Sequence, residues 1–435
     1  MNFDPQRRAS SLEMKKAVSS VVAAVECFQT VHHPRIRGRG AARQDRFIAA
    51  IEALVCNLAG LSLDPRSRPL AVPRSNKAMW PSNGFVSPIY GQHFRDALEF
   101  MEAPELGLIE PVGKGFSYQG NAWKLSTVRP TTALYNLLPR EPTTWDAFRR
   151  IPAEHVLLRR KRKVAGAQRG ELDDYADTDY SAGLRHEVER INAWLADAAF
   201  WLLPDGSSHG LATSGQPCDP TRRSLRRIFA NGRWDQGGRL YGGFWMTMPR
   251  EDRFKRLRIA SKQSPHGEPV ANVDFRQFNL RAAYGLTNQP VPSGDLYDVR
   301  GDGAFRDGFK VLMNAMFYVP SRLTRLPAEA QVAFPSGTKA RDAVAEVERF
   351  HAPIAHLFGT EVGFRLTAIE STILVTALAI LFNKGITALP LHDAVLVAES
   401  EAALAADAME EASEFFSPEF GARPSIEFYR ASTDT

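Results

Sequence analysis

The chain has 435 residues, of which 44% are hydrophobic and 24% charged, and a formal net charge of +5. That balance belongs to a globular protein of two or three domains and excludes a largely disordered chain. The small positive excess speaks for an acidic partner only where it is clustered. Cys27, Cys56 and Cys218, without metal-site spacing, point to a reducing, cytoplasmic compartment and to buried thiols.

Residues 10–30 read as an amphipathic first helix. Met14-Lys15-Lys16 imitates the start of a signal peptide, but Asp4 and Glu13 precede it and no cleavage site follows. Residues 31–46 form a basic connector whose Arg and Gly suit a phosphate backbone and equally suit a solvated loop. Residues 47–61 have helical periodicity. Next come a helix over 88–101, a strand over 106–110, a glycine-punctuated loop over 113–120 and a returning strand over 122–126. Helix, strand, loop, strand is the order of a winged helix, with Tyr90 to Arg95 as groove contacts and Lys114 as a wing contact. The same order also serves as plain scaffolding.

The segment from 127 to 225 is a connector. It carries the cationic run Arg159-Arg160-Lys161-Arg162-Lys163, which would attract a polyanion, and a long helix over 184–203 stopped by Leu203-Pro204-Asp205-Gly206. Residues 221–229 predict a basic helix bearing Arg222 and Arg226. It leads into Gly237-Gly238-Arg239-Leu240-Tyr241, where glycine, arginine and aromatic residues interleave as nucleic-acid contacts do.

The chemistry is concentrated further on. In Val270-Ala271-Asn272-Val273-Asp274-Phe275 a strand-like run ends on Asp274, and 276–285 continue with helical character. Asp295 and Asp298 read as caps for a helix starting near Arg306, on which Arg306, Lys310 and Phe317 or Tyr318 share a face suited to a nucleoside triphosphate. The apolar run 373–382 is too short to span a bilayer and predicts a buried helix. Glu370 and Arg365, just before it, suit a helix surface or an internal ion pair. Leu389-Pro390-Leu391-His392-Asp393-Ala394-Val395-Leu396 then reads as a tight hairpin with a carboxylate at its turn. Either aspartate alone suits a turn or a cap. Together they could hold two divalent cations about 3.5–4 Å apart, the spacing that serves in-line phosphoryl transfer.

In this order and at these intervals the pieces resemble the family A polymerases, which include the DNA polymerase I group and the single-subunit phage RNA polymerases. Gly238-Arg239-Leu240 resembles the element ahead of the palm, and Asp274-Phe275-Arg276-Gln277-Phe278-Asn279-Leu280-Arg281 resembles motif A. The Arg306, Lys310, Tyr318 spacing is similar to motif B, and His392-Asp393 to motif C. The likeness covers residues 225–435.

The resemblance implies an α+β fold with a right-hand polymerase palm and fingers of family A type over 225–435; outside it, residues 141–224 read as a helical connector or thumb-like region. Residues 1–140 would be a mostly helical, winged-helix-like nucleic-acid-binding region. It implies two Mg²⁺ ions, or Mn²⁺ in their place, on Asp274, Asp393 and the Phe275 backbone carbonyl. Arg306, Lys310, Tyr318, Asn279 and Asn314 would face the nucleotide. Arg239, Arg281 and His392 would face nucleic acid, and Glu370 and Arg365 stand where the family often has polar residues near the primer; Arg222, Arg226, Arg159 and Arg160 are nucleic-acid contacts by the basic runs they belong to. Asn279 stands where the family has a Glu that helps to exclude the ribose 2′-hydroxyl, Asn314 where a bulky residue is common, Val319 where Gly is usual, and Ala394 in place of the Glu of His-Asp-Glu.

The expected activity is that of a small DNA polymerase of a phage, plasmid or mobile element. It would act on a DNA template-primer, or on RNA, with dNTPs, without a membrane, and beside other replication proteins of that element. The alternatives are a primase or RNA polymerase taking NTPs, and a DNA-binding replication or defence factor with a non-catalytic palm.

Overall fold

Two sets of apolar residues organise the chain. The computed structural model describes residues 1–79, 85, 87–117, 123–141, 143–151, 153–161, 170–204, 210–416 and 424–427. Its first unit comprises Met1–Glu154, Leu202–Ser224 and Thr247–Arg250, and its second His155–Trp201, Leu225–Met246 and Glu251–Thr435. The segment 141–224, expected as a connector, is divided between them.

In the first unit β1 (Arg7–Ala9) is followed by α1 (Leu12–His32) and α2 (Ala41–Ala59). Ser11 caps α1 by accepting from the Met14 amide. Phe47, Ile51, Leu54 and Leu58 recur at helical spacing along α2, and all four are buried in the core. Then come β2 (Leu70–Val72), α3 (Gln92–Glu102), β3 (Ile109–Gly113), β4 (Ser126–Pro130) and β5 (Phe148–Arg150). Strands β2, β4 and β3 form an antiparallel sheet in that order, and β1 pairs with β5.

Where the sequence predicts a winged helix, the strands run later than the expected 106–110 and 122–126, at Ile109–Gly113 and Ser126–Pro130, and the helix starts at Gln92 and turns its aromatic residues inward. Phe94 is buried and packs edge-on against Phe3 and Tyr90, and Arg95 donates to the Arg74 carbonyl and to Asn76. These three are thus held by their own unit rather than presented to a groove. The wing tip, 118–122, lies outside the described residues. In the basic connector Arg35 and Arg39 both pair with Asp96, and Arg39 lies 3.6 Å from the centre of the Phe47 ring.

The second unit starts with β6 (Val156–Arg159), β7 (Leu172–Asp173) and α4 (Asp179–Asp197). Helix α4 begins in a capping box between Thr178 and Ser181 and stops before Ala198, six residues short of the expected end at Leu203. Next are β8 (Arg226–Ala230) and β9 (Arg233–Tyr241). Strand β8 corrects the expected basic helix over 221–229. Arg227 and Phe229 alternate inward at the strand period of two, and Arg227 is held inside by Glu187 at 3.0 Å and the Gly238 carbonyl at 2.9 Å. The sheet order is β9-β8-β6-β7.

Further along the chain the elements that build the site and its supports include β10 (Val270–Phe275), α5 (Phe278–Leu286), α6 (Arg306–Tyr318), α7 (Ala340–Phe350), α8 (Gly363–Asn383), β11 (Leu389–Leu391), β12 (Ala394–Ala398), α9 (Ala402–Phe416) and β13 (Pro424–Glu427). The second sheet runs β11-β12-β10-β13, all antiparallel. Every residue of β12 is buried, as suits an inner strand. The run 373–382 belongs to a 21-residue helix, so the expectation that it is too short for a bilayer is corrected. Helices Ala41–Leu63 and Gly363–Asn383 are both long and apolar enough to span one, and they are 67% and 61% buried inside the protein, as core helices are.

Wholly buried His351 donates from Nε2 to the Leu296 carbonyl and accepts at Nδ1 from the Tyr284 hydroxyl, both at 2.9 Å. Burial pushes its pKa down from 6.5 to about 4. The unfolded chain takes up a proton near 6.5 and the folded one only near 4, so this contribution is complete above 6.5 and is lost as pH falls toward 4. Denaturant unfolding should show the stability advantage of the wild type over His351→Gln shrinking by about 3 kcal/mol between roughly pH 7.5 and 4. A constant difference would contradict the assignment.

Candidate active site

Register alone brings the two aspartates together. Ala394 pairs with Asp274 on one side and with Leu391 on the other, so the two-residue turn His392-Asp393 lies at the same end of the sheet as Asp274. His392 accepts a φ of +61° to make that turn, a strain on the order of 1 kcal/mol for a residue with a Cβ. Gln277, at φ +57°, turns the chain from β10 into α5 and so directs Asn279 toward the same place.

There the structure has a cavity of about 560 Å³. Of the residues singled out in the sequence, Asp274, Phe275, Asn279, Arg281, Arg306, Lys310, Asn314 and Asp393 all line it. Arg306, Lys310 and Asn314 are one helical turn apart on a single face of α6. Arg306 pairs with Asp295, and the Tyr297 ring lies 5.5 Å from its guanidinium and 5.9 Å from the Lys310 ammonium. Asn279 donates to Asn314 Oδ1 at 3.3 Å, and its own Oδ1 is buried with no hydrogen-bond partner among the described residues.

Sequence reading missed Gln277 and Tyr297 as cavity residues; the one available signal was an aromatic residue inside a loop rich in Pro, Gly and Asp. Asp295 and Asp298 do not cap α6, whose N-cap is Phe305 at φ +58°. Asp295 instead binds Arg306, Gln277 and the Tyr297 amide, and Asp298 takes the amides of Gly301 and Gly303.

Glu370 of α8 also lines the cavity; it is 1% exposed and accepts from Arg239 Nε and Nη2 at 2.7 and 2.8 Å. The internal ion pair that the sequence allows it is therefore made. Tyr318 is seated on α8, its hydroxyl 2.7 Å from Thr367 Oγ1 and its ring against Gly363, where a Cβ would come within 2.9 Å. His392 stands edge-on to Tyr241, ring centres 6.3 Å apart.

The other cationic candidates lie elsewhere. Arg222 belongs to the first unit and pairs with Asp4 at 3.2 Å. Arg159 donates to the Gly170 carbonyl, Arg160 pairs with Asp173 at 2.7 Å and Lys161 with Glu361 at 2.6 Å, while Arg162 and Lys163 lie outside the described residues. Arg226 is exposed at the start of β8.

Burial, then the charge of Asp393, then that of Glu370, push the Asp274 pKa up to about 7. Burial also raises Glu370, with Asp393 adding to it and Arg239 opposing. Arg239 is lifted above its ordinary value by Glu370 against the pull of burial. Among the described residues no three His, Cys, Asp or Glu side chains are grouped to hold one metal ion. The donor set still fits Mg²⁺, which is bound through one or two carboxylates and completed by water and substrate phosphate, and a cation would oppose the burial and like charge that raise the Asp274 pKa.

No protein-family model matches the chain, and no curated protein does. Among solved structures it is similar to the POL domain of Pol1 from M. smegmatis, in complex with DNA primer-template and dNTP. The TM-score is 0.31 and the identity 10%, over 98% of this chain and 67% of that one. A likeness of that size carries no weight for function, which rests on the side chains of the cavity.

The raised Asp274 pKa has a definite sign. Between 3.8 and about 7 the unfolded carboxyl is ionised and the folded one holds its proton, so in cation-free buffer stability falls as pH rises through that window. Asp274→Asn should therefore melt with the wild type near pH 4 and above it near pH 8, and Mg²⁺ should raise the melting temperature of the wild type more than that of the variant at the higher pH. Equal melting at both pH values would show that Asp274 is not buried against like charge.

Proposed function

We propose that the protein is a template-directed nucleotidyltransferase, most simply a small DNA polymerase extending a primer. The observation that carries this reading is the opposition, across one cavity, of two half-buried carboxylates at one end of the sheet and a helix face bearing Arg306, Lys310 and Asn314. Two Mg²⁺ ions, or Mn²⁺, held by Asp274, Asp393 and the Phe275 carbonyl would neutralise charge on the attacking and leaving oxygens.

The chain's own residues supply the rest. Lys310 and Arg306 take triphosphate oxygens, Arg306 exchanging its bond to Asp295 for a bond to phosphate. The Tyr297 ring keeps both cations along the cavity wall. Tyr318, fixed against Gly363 and Thr367, offers a flat apolar surface beside the base. Transfer at this site depends on positioning and electrostatics rather than on a protein nucleophile.

The Asn279–Asn314 amide pair favours a second reading within the same chemistry. A buried acceptor lacking a donor suits the hydroxyl of a ribose, so NTPs belong among the substrates to be tried.

Labelled dNTPs and, separately, NTPs are offered on primed and unprimed single-stranded templates with Mg²⁺. Primer-dependent incorporation is expected from the wild type and, if the aspartates hold the cations, a loss of at least about a hundredfold in Asp274→Asn and Asp393→Asn. Nucleic-acid affinity should be retained in both variants and should fall steeply with salt. Unprimed NTP products would move the reading to a primase. Tight nucleic-acid binding without any product would move it to a binding factor.

A further inference from the structure

Helix α8 is apolar for most of its length, yet three polar side chains sit together in its buried face. Thr367, Glu370 and Ser371 are 8%, 1% and 1% exposed. Their spacing of three and four residues stacks them on one side of the helix. Each grips a different part of the site: Thr367 holds the Tyr318 hydroxyl, Glu370 holds both Arg239 Nε and Nη2, and Ser371 donates to the Gly238 carbonyl next to Arg239.

Stability alone does not account for this arrangement. A buried ion pair contributes little over well-packed apolar residues of the same volume, because both ions lose their hydration. The bidentate grip does determine where the guanidinium goes. Arg239 binds Glu370 and makes no ion pair with Asp274 or Asp393 among the described residues, although Asp393 is near enough for the two charges to act on each other. Released from Glu370, a planar five-donor guanidinium would find in Asp393 the next carboxylate of matching geometry. Its fork would then cover the oxygens that a divalent cation needs.

We propose that Glu370 is a positioning residue that holds the Arg239 guanidinium off Asp393 and so keeps that carboxylate open to a divalent cation. It acts through Arg239 and is not itself a ligand. This rests on the reading of the two aspartates as a cation site.

Mn²⁺ binding to the full chain, followed by the electron paramagnetic resonance of the free ion, tests the idea without reference to activity. The wild type, Glu370→Gln and the double variant Glu370→Gln/Arg239→Gln are compared, each with a thermal melt. Glu370→Gln should bind Mn²⁺ several-fold more weakly, and the double variant should return to the affinity of the wild type. Unchanged affinity in Glu370→Gln overturns the proposal. So does a double variant that stays as weak as the single one, which would make Glu370 a ligand or a purely structural group. If Glu370→Gln melts below the assay temperature, Glu370→Asp replaces it, with an expected affinity between the other two; affinity equal to the wild type overturns the proposal. A wild type that binds no Mn²⁺ overturns the cation site together with this inference. One that binds Mn²⁺ but incorporates no nucleotide overturns the polymerase reading only, and the comparison among variants still decides the role of Glu370.

Discussion

The register between β10 and the β11–β12 hairpin is the constraint on which the rest of the site depends. Asp274 opposite Ala394 places two carboxylates at one end of a buried sheet, and a slip of one residue would turn Asp274 to the other face. That register is secured by the apolar residues around it. Val270, Ala271, Val273, Val395, Leu396 and Val397 are all fully buried, so any other pairing would expose core. The chain thus uses its most strongly specified element to hold its least favourable charges.

Helix α8 is the second support. Leu366, Ile373, Leu374, Leu378 and Leu381 pack it into the core, while Thr367, Glu370 and Ser371 reach from it to α6 and β9. Glycine matters at two points of contact. Gly363 leaves room for the Tyr318 ring, and Gly238, at φ +84°, leaves room for Phe229, whose ring a Cβ would meet at 2.8 Å. One rigid helix therefore positions an aromatic ring, a guanidinium and a backbone carbonyl relative to the sheet that carries the aspartates.

The electrostatics of the cavity run against folding. Asp274, Asp393 and Glu370 line one cavity, and Arg239 makes its ion pair with Glu370. Such an arrangement is retained where something positive is to be received, and it couples binding at the cavity to the stability of the unit. The cations of α6 are mounted differently. Arg306 and Lys310 are partly exposed, backed by Tyr297, and able to move onto a ligand.

Much of the site was legible in the sequence because short-range rules govern its pieces. Alternation and apolar runs marked β10 and the hairpin, and the i, i+4 spacing marked the face of α6. Of the residues so marked, Asp274, Asp393, Arg306 and Lys310 meet in one cavity, while Tyr318 and His392 are not among those lining it. The misreadings fall where local sequence permits two outcomes. Residues 221–229 carry apolar and basic residues compatible with either period, and pairing with β6 and β9 selected a strand. Tyr90, Phe94, Arg35 and Arg39 have the composition of a binding surface, and internal partners drew them into the first unit. The sequence by itself determined which side chains occur at helix and strand spacing. Only the tertiary structure decided which charges are paired, since Glu370 and Arg239 lie 131 residues apart and their ion pair exists solely because α8 packs on β9.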